Sequence, residues 1–179
     1  MDEAGRGALA GPVVAAAALM PRQPEITGVD DSKKLAPHRR TELAILIRRH
    51  ARAWAVAAAS AGVIDEINIL EATRRAMLRA VAKLGLRPEL VLVDGPPVPR
   101  SPLACRGIIG GDRSSYSIAC ASILAKVHRD RLMTRLARLV PGYGFARHKG
   151  YGTAEHLAAL SRLGPSPAHR LTFAPLATR

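Results

Sequence analysis

Between Pro12 and Pro21 the chain reads Val-Val-Ala-Ala-Ala-Ala-Leu-Met, eight residues without a polar side chain. A strand with one wet face alternates apolar and polar residues, whereas one covered on both faces does not. The run falls short of the ~20 apolar residues that a membrane-spanning helix needs. It also follows acids and a Gly-Pro break, the wrong flanks for a secretory leader. A strand buried on both sides needs a layer of structure on each. For 179 residues with 48% hydrophobic content, that predicts one α/β domain with a real core.

The rest of the pattern alternates accordingly. Pro37 sits where a helix begins, and Leu43, Ile45, Leu46 and Ile47 carry it to about His50. Trp54 to Ala59 reads as a strand. Asp65 or Asn68 is expected to cap a longer helix that stops at Gly85. Leu90 to Val93 is a short buried strand ending at Asp94-Gly95-Pro96-Pro97, and a further strand closes at Ile108-Ile109. Ser115 to Val140 is helical, apolar nearly all round to Val127 and amphipathic beyond it. After about residue 140 the chain is punctuated by Gly and Pro, with one helix around Thr153 to Leu163. The expected organisation is a main domain over 1–140 and a helical C-terminal extension over 141–179 packed on it.

Charge narrows the partner. Twenty-seven Lys+Arg face 14 Asp+Glu, a formal net charge of +13. Such a field draws polyanions, and only five of the cations are Lys, which favours forked phosphate contacts. Charge by itself also fits a protein that is merely soluble. Cys105 and Cys120 are too few for a disulfide framework, which fits a cytoplasmic protein.

In so basic a chain, acids beside glycines stand out. Asp2-Glu3 is followed by Gly5-Arg6-Gly7, with bare backbone and a cation next to two carboxylates. Carboxylates hold hard divalent ions; a disordered, solvated terminus is the bland alternative. Asp94 ends an apolar strand, a usual place for a ligand-binding acid, although Asp also opens turns. Asp112 follows Gly110-Gly111 and from position alone reads as a helix N-cap or a first-turn acid complementing the helix dipole. Tyr151, flanked by glycines in a basic loop, suits stacking on a sugar or base better than core packing. Ser32, Lys33, Lys34, Lys149 and the Arg-rich second half of the long helix are candidate phosphate holders. For Arg129, Arg131, Arg135 and Arg138 the strong alternative is a solvated helix face, with Asp130 paired to a neighbouring Arg. The six His show no metal-ligand spacing and read as surface or loop residues; His128 and His148 are the two that could touch phosphate.

Several of these blocks together resemble the bacterial ribonuclease HII family. Asp2-Glu3-Ala4-Gly5-Arg6-Gly7 with Leu9-Ala10-Gly11-Pro12-Val13 looks like its opening. Asp31-Ser32-Lys33-Lys34-Leu35, Val93-Asp94-Gly95, Gly111-Asp112 and Ser117-Ile118-Ala119-Cys120-Ala121-Ser122-Ile123 follow in the family's order. His148-Lys149-Gly150-Tyr151-Gly152-Thr153 and His169-Arg170 complete it. The resemblance implies a ribonuclease H-like fold, a mixed central sheet flanked by helices. It also implies an endonuclease that cuts the RNA strand of RNA–DNA hybrids and incises 5′ of single ribonucleotides embedded in duplex DNA, leaving a 5′-phosphate and a 3′-hydroxyl. The family's acidic cluster maps onto Asp2, Glu3, Asp94 and Asp112, which would bind two Mn²⁺ or Mg²⁺ ions. Its ribose-sensing element maps onto Gly5, Arg6 and Gly7, and its junction tyrosine onto Tyr151. A monomer without membrane association is expected.

Departures from the family pattern are Ala8 for the usual Pro, Gly110 for a common Lys and Cys120 for Ala. The family also has residues before its first Asp. With only Met1 ahead of it, Asp2 is expected to lack strand pairing to fix its carboxylate. A catalytically impaired hybrid-binding protein of the same fold is therefore the competing expectation, and a basic ribosome-associated protein a more distant one.

Overall fold

The computed structural model describes residues 1–177. In chain order its elements are β1 (Asp2–Ala4), β2 (Val13–Leu19), α1 (Pro37–His50), β3 (Ala53–Ala59), α2 (Ala61–Ala82), β4 (Val91–Asp94), β5 (Cys105–Ile108), α3 (Gly111–Ser114), α4 (Tyr116–Leu139), α5 (Phe145–His148) and α6 (Ala154–Leu163). β2 pairs antiparallel with β1 on one side and β3 on the other, while β4 and β5 are parallel. Met1 joins the two sets: its amine donates to Leu92 O, and its carbonyl accepts from the Asp94 amide at 3.2 Å. The strands thus lie in the order β3-β2-β1-β4-β5, a mixed sheet.

β2 sits at the centre for the reason its composition demands. Successive residues of a strand face opposite sides. Ala15 and Ala17 pack against Ala76, Met77 and Ala80 of α2. Ala16, between them, packs against Leu43 and Ile47 of α1 and Ile123 and Leu124 of α4. The alanine side chains let helices approach the sheet closely from both faces. Beyond the sheet, Met133 of α4 gathers Tyr143, Phe145, Ala159, Leu160 and Ala10 into a second apolar cluster under α5 and α6.

Two expectations need correction. The long helix starts earlier than Asp65: Ser60 is the N-cap, accepting from the Val63 amide. Asn68 (φ 66°) kinks the helix and, as expected of it, caps the segment that follows, its Oδ1 accepting from the Leu70 and Glu71 amides. Asp65 is used elsewhere, receiving the amides of Leu171 and Thr172. Of the two positional readings of Asp112 the first-turn acid holds: Gly110 (φ 64°) occupies the N-cap and Asp112 lies inside the first turn of α3. Finally, Asp2 does not lack strand pairing. It is in register with Ala16, and its Oδ1 accepts the Glu3 amide at 2.7 Å.

Candidate active site

β1, the end of β4 and the loop before α1 open onto one cleft of about 570 Å³. Asp2, Glu3 and Asp94 line it together with Lys33, Lys126 and Tyr151. Both acids of the pair reach the same cleft from a strand only three residues long. Asp2 is buried (5% exposed), with Ser122 beside it. Burial, then the neighbouring charge of Glu3, push its carboxyl up to about 7. Burial also raises Glu3, against the opposing pull of Arg6, whose guanidinium lies 3.4 Å away.

Asp94 ends β4, and its Oδ1 accepts the Gly111 amide at 2.8 Å. That bond sets the turn carrying Asp112, itself buried and 3.5 Å from Lys33 Nζ. The loop before α1 is held by Asp31, which accepts the Lys33 amide on one oxygen and Arg113 Nε on the other. Lys33 is the residue this turn delivers to the acids. Lys34 points instead to Asp30, and the Ser32 hydroxyl is buried against Ser122 at 2.9 Å. Lys149 lies outside the acidic cleft, in an adjoining basic groove of about 680 Å³ with Arg131, Arg135 and Arg138. Arg40 and Lys126 line both spaces, so the groove opens from the cleft. Asp130 sits between them, 2.8 Å from Lys126 and 3.9 Å from Arg40. Its closest partner is therefore Lys126, and the arginine it also pairs with is Arg40 of α1.

Tyr151 is 38% exposed, its ring 5.9 Å from Lys126 Nζ and 5.3 Å from Arg129 Cζ. Two readings of the basic and imidazole residues are overturned. Arg129 is not on a solvated face: it is fully buried, donating to the carbonyls of Pro12, Ala10 and Lys149. His156 and His169 are fully buried too, Nε2 to Nε2 at 3.1 Å. His148 stacks on His156 and bonds Tyr143 O, while His128 is exposed among Arg48, Arg131 and Arg135. Arg170, also fully buried, was missed as a site residue.

Whether the acids suit a divalent cation is tested by their chemistry. They form an all-oxygen donor set, the kind that hard ions prefer. Buried carboxylates that raise one another's proton affinity carry negative charge that lacks compensation. Among the described residues no three His, Cys, Asp or Glu side chains converge closely enough to hold a metal ion by themselves. An open arrangement accords with Mg²⁺-like sites, which keep waters and substrate phosphates among their ligands. The donor set fits.

A mixed sheet flanked by helices, with acids at the ends of adjacent strands facing a basic groove, defines a nuclease of the ribonuclease H type. The family model described as Ribonuclease HII matches residues 1–176. The Ribonuclease HII of Geobacter sulfurreducens is 58% identical over 97% of this chain and 80% of that protein. The fold superposes on the ribonuclease HII of the Archaeoglobus fulgidus PCNA:RNase HII complex with a TM-score of 0.77, at 30% identity over 99% of this chain and 95% of that one. It also matches Bst-RNase HIII in complex with Mn²⁺, with a TM-score of 0.70 at 22% identity, over 98% of this chain and 66% of that one. The chain belongs to the ribonuclease HII family and is an RNase H-type endoribonuclease. Among the described residues no helix is long and apolar enough to cross a membrane.

Proposed function

We propose that this chain hydrolyses the RNA strand of RNA–DNA hybrids and incises duplex DNA 5′ of single embedded ribonucleotides, leaving 5′-phosphate and 3′-hydroxyl ends. The observation that carries this reading is one cleft lined by Asp2, Glu3 and Asp94 together with Gly5, Arg6, Gly7 and Tyr151. Cutting groups and groups able to sense a ribose share a wall.

Asp2, Glu3, Asp94 and Asp112 would hold divalent ions, Mn²⁺ or Mg²⁺, as the Mn²⁺ complex of the structurally similar ribonuclease HIII suggests. Such ions, when bound, supply Lewis acidity toward water and toward the leaving 3′-oxygen. The protein's own residues do the rest. The Glu3 amide fixes the Asp2 carboxylate, and the Gly111 amide fixes that of Asp94. Lys33, mostly exposed beside Asp112, is placed to meet the scissile phosphate. Gly5-Arg6-Gly7 offers backbone to the 2′-hydroxyl, the group that separates RNA from DNA. The Tyr151 ring offers a face to the neighbouring sugar or base. Arg131, Arg135, Arg138 and Lys149 line the path along which the flanking duplex runs, and the affinity of such a track falls steeply with salt.

A gel assay on duplex DNA with one ribonucleotide, with and without Mn²⁺, tests the proposal. Metal-dependent incision 5′ of the ribonucleotide is expected. Binding without any metal-dependent cut would overturn it.

A further inference from the structure

Arg170 is fully buried, and among the described residues no carboxylate lies within ion-pair distance of it. A desolvated guanidinium without an acid partner is costly and needs hydrogen bonds to every available edge. Here its partners are all backbone carbonyls of one loop: Nη2 donates to Gly5 O at 2.7 Å, Nη1 to Arg6 O at 2.7 Å, and Nε and Nη2 to Gly11 O at 3.1 and 2.9 Å. Burial, then the proximity of Arg129, draw Arg170 down to about 10, which leaves it protonated at neutral pH. The backbone around it is pinned as well: the Arg170 amide donates to Leu9 O, and the Gly11 amide to Ala168 O, each at 2.8 Å.

A trans peptide places its N–H opposite its C=O. With the carbonyls of Gly5 and Arg6 drawn inward, the next amides, those of Arg6 and Gly7, are turned outward. Both residues are exposed and line the cleft, and neither amide has an acceptor among the described residues. A Cβ added at Gly7 would meet nothing within 4 Å, whereas one at Gly5 (φ +94°) would strike the Arg129 guanidinium. The loop is therefore backed by two buried cations and open only on its amide side.

The geometry points to Arg170 as a specificity-determining positioning residue: by holding the Gly5 and Arg6 carbonyls inward, it makes the loop a pair of outward N–H donors that recognise the oxygen of a ribose 2′-hydroxyl. This inference rests on the substrate reading above. A flipped Gly5–Arg6 or Arg6–Gly7 peptide would present a carbonyl instead, and an acceptor there is satisfied only by the hydroxyl's hydrogen. Fixing two successive peptides requires a planar fork, which lysine lacks.

The test compares binding of a duplex carrying one ribonucleotide with binding of the all-DNA duplex of the same sequence, in EDTA so that nothing is cut. Wild type should prefer the ribonucleotide, and Arg170→Lys should lose about tenfold of that preference while binding the all-DNA duplex as before. A residue that merely stabilises the fold would weaken both duplexes together. On the unaltered protein, titration with the ribonucleotide duplex should shift the Arg6 and Gly7 amide resonances, and the all-DNA duplex should not. This decides the matter even if Arg170→Lys does not fold. Full preference in Arg170→Lys, or amides indifferent to the ribonucleotide, overturns the role of Arg170 alone. A wild type without preference overturns the substrate reading and this inference with it.

Discussion

The Gly111 amide donates to Asp94 Oδ1 at 2.8 Å, so one hydrogen bond ties the acid at the end of β4 to the turn that carries Asp112. The amide oxygen of an asparagine can accept that bond equally well. Asp94→Asn should therefore leave the turn and the melting temperature nearly unchanged while removing one negative charge from the cleft. Incision at an embedded ribonucleotide should fall about a thousandfold, corresponding to several kcal/mol of lost charge stabilisation, with duplex binding retained. Near wild-type incision by Asp94→Asn would remove this residue from the metal-binding set.

Asp2 carries a cost of its own. Its carboxyl, raised to about 7 from 3.8 by burial and Glu3, destabilises the metal-free fold progressively as pH rises from the lower value through the higher. Asp2→Asn removes that charge at nearly constant volume. At pH 8 without metal the variant should melt several degrees higher than wild type, on the scale of ~2–4 °C per kcal/mol for a chain of this size. Wild type should gain stability on adding Mn²⁺, and the variant should gain much less. A variant that melts lower than wild type at pH 8 would contradict the origin given for the shift.

Much of this was readable in the chain because local and global signals agree. The boundaries of α1 were legible from Pro37 and the apolar spacing behind it, and the two-sided burial of β2 followed from its lack of polar residues. The four acids stood out because acids are scarce. What stayed hidden depends on partners far away in sequence. Arg129 read as solvated because Arg is seldom buried, and its acceptors lie as far off as Ala10, 119 residues upstream. Arg170 reaches back 165 residues to Gly5. Asp112 stayed open between N-cap and first-turn acid because a left-handed glycine at position 110 leaves no trace in composition. His156 and His169, 13 apart, fit no metal spacing because they bond each other.

Tyr151 separates a binding role from a packing role. Its ring is partly exposed beside Lys126 and Arg129, and no hydrogen bond to its hydroxyl occurs among the described residues. Tyr151→Phe should therefore incise at close to the wild-type rate. Tyr151→Ala should lose the stacking face, worth about 1–3 kcal/mol per base, so kcat/KM at a single ribonucleotide should drop about tenfold to a hundredfold with little change in melting temperature. An unchanged rate with a lowered melting temperature would make the ring a packing element only.

The buried histidine pair predicts how stability responds to acid. The Ser166 amide donates to His169 Nδ1 at 2.9 Å, which puts that ring's proton on Nε2. His169 Nε2–H then donates to His156 Nε2 at 3.1 Å, and His156 Nδ1–H donates to Tyr151 O at 3.0 Å. Each ring is neutral, and a further proton on His156 Nε2 would set two N–H groups against each other. His148 stacks on His156, the phenol ring of Tyr143 lies against His169, and Glu155 is the nearby acid. Burial, ahead of neighbouring charge, lowers both His156 and His169 from the ordinary 6.5. With the folded value below the unfolded one, their stabilising contribution is complete above pH 6.5. It declines below that and is lost once pH falls under the lowered values. Each proton adds a slope of at most about 1.4 kcal/mol per pH unit. Asp2 titrates in the opposite sense, so the Asp2→Asn background removes its contribution. The buried Met1 amine, lowered from 8.0 to about 6, and His128, also lowered by burial, act in the same sense as the pair. Urea melts from pH 8 to 5 should therefore fall throughout and steepen below about 6.5. His169→Gln in that background should flatten the fall, because one of the two buried sites can no longer take up a proton. A decline of the same steepness in both proteins would place the acid sensitivity outside this pair.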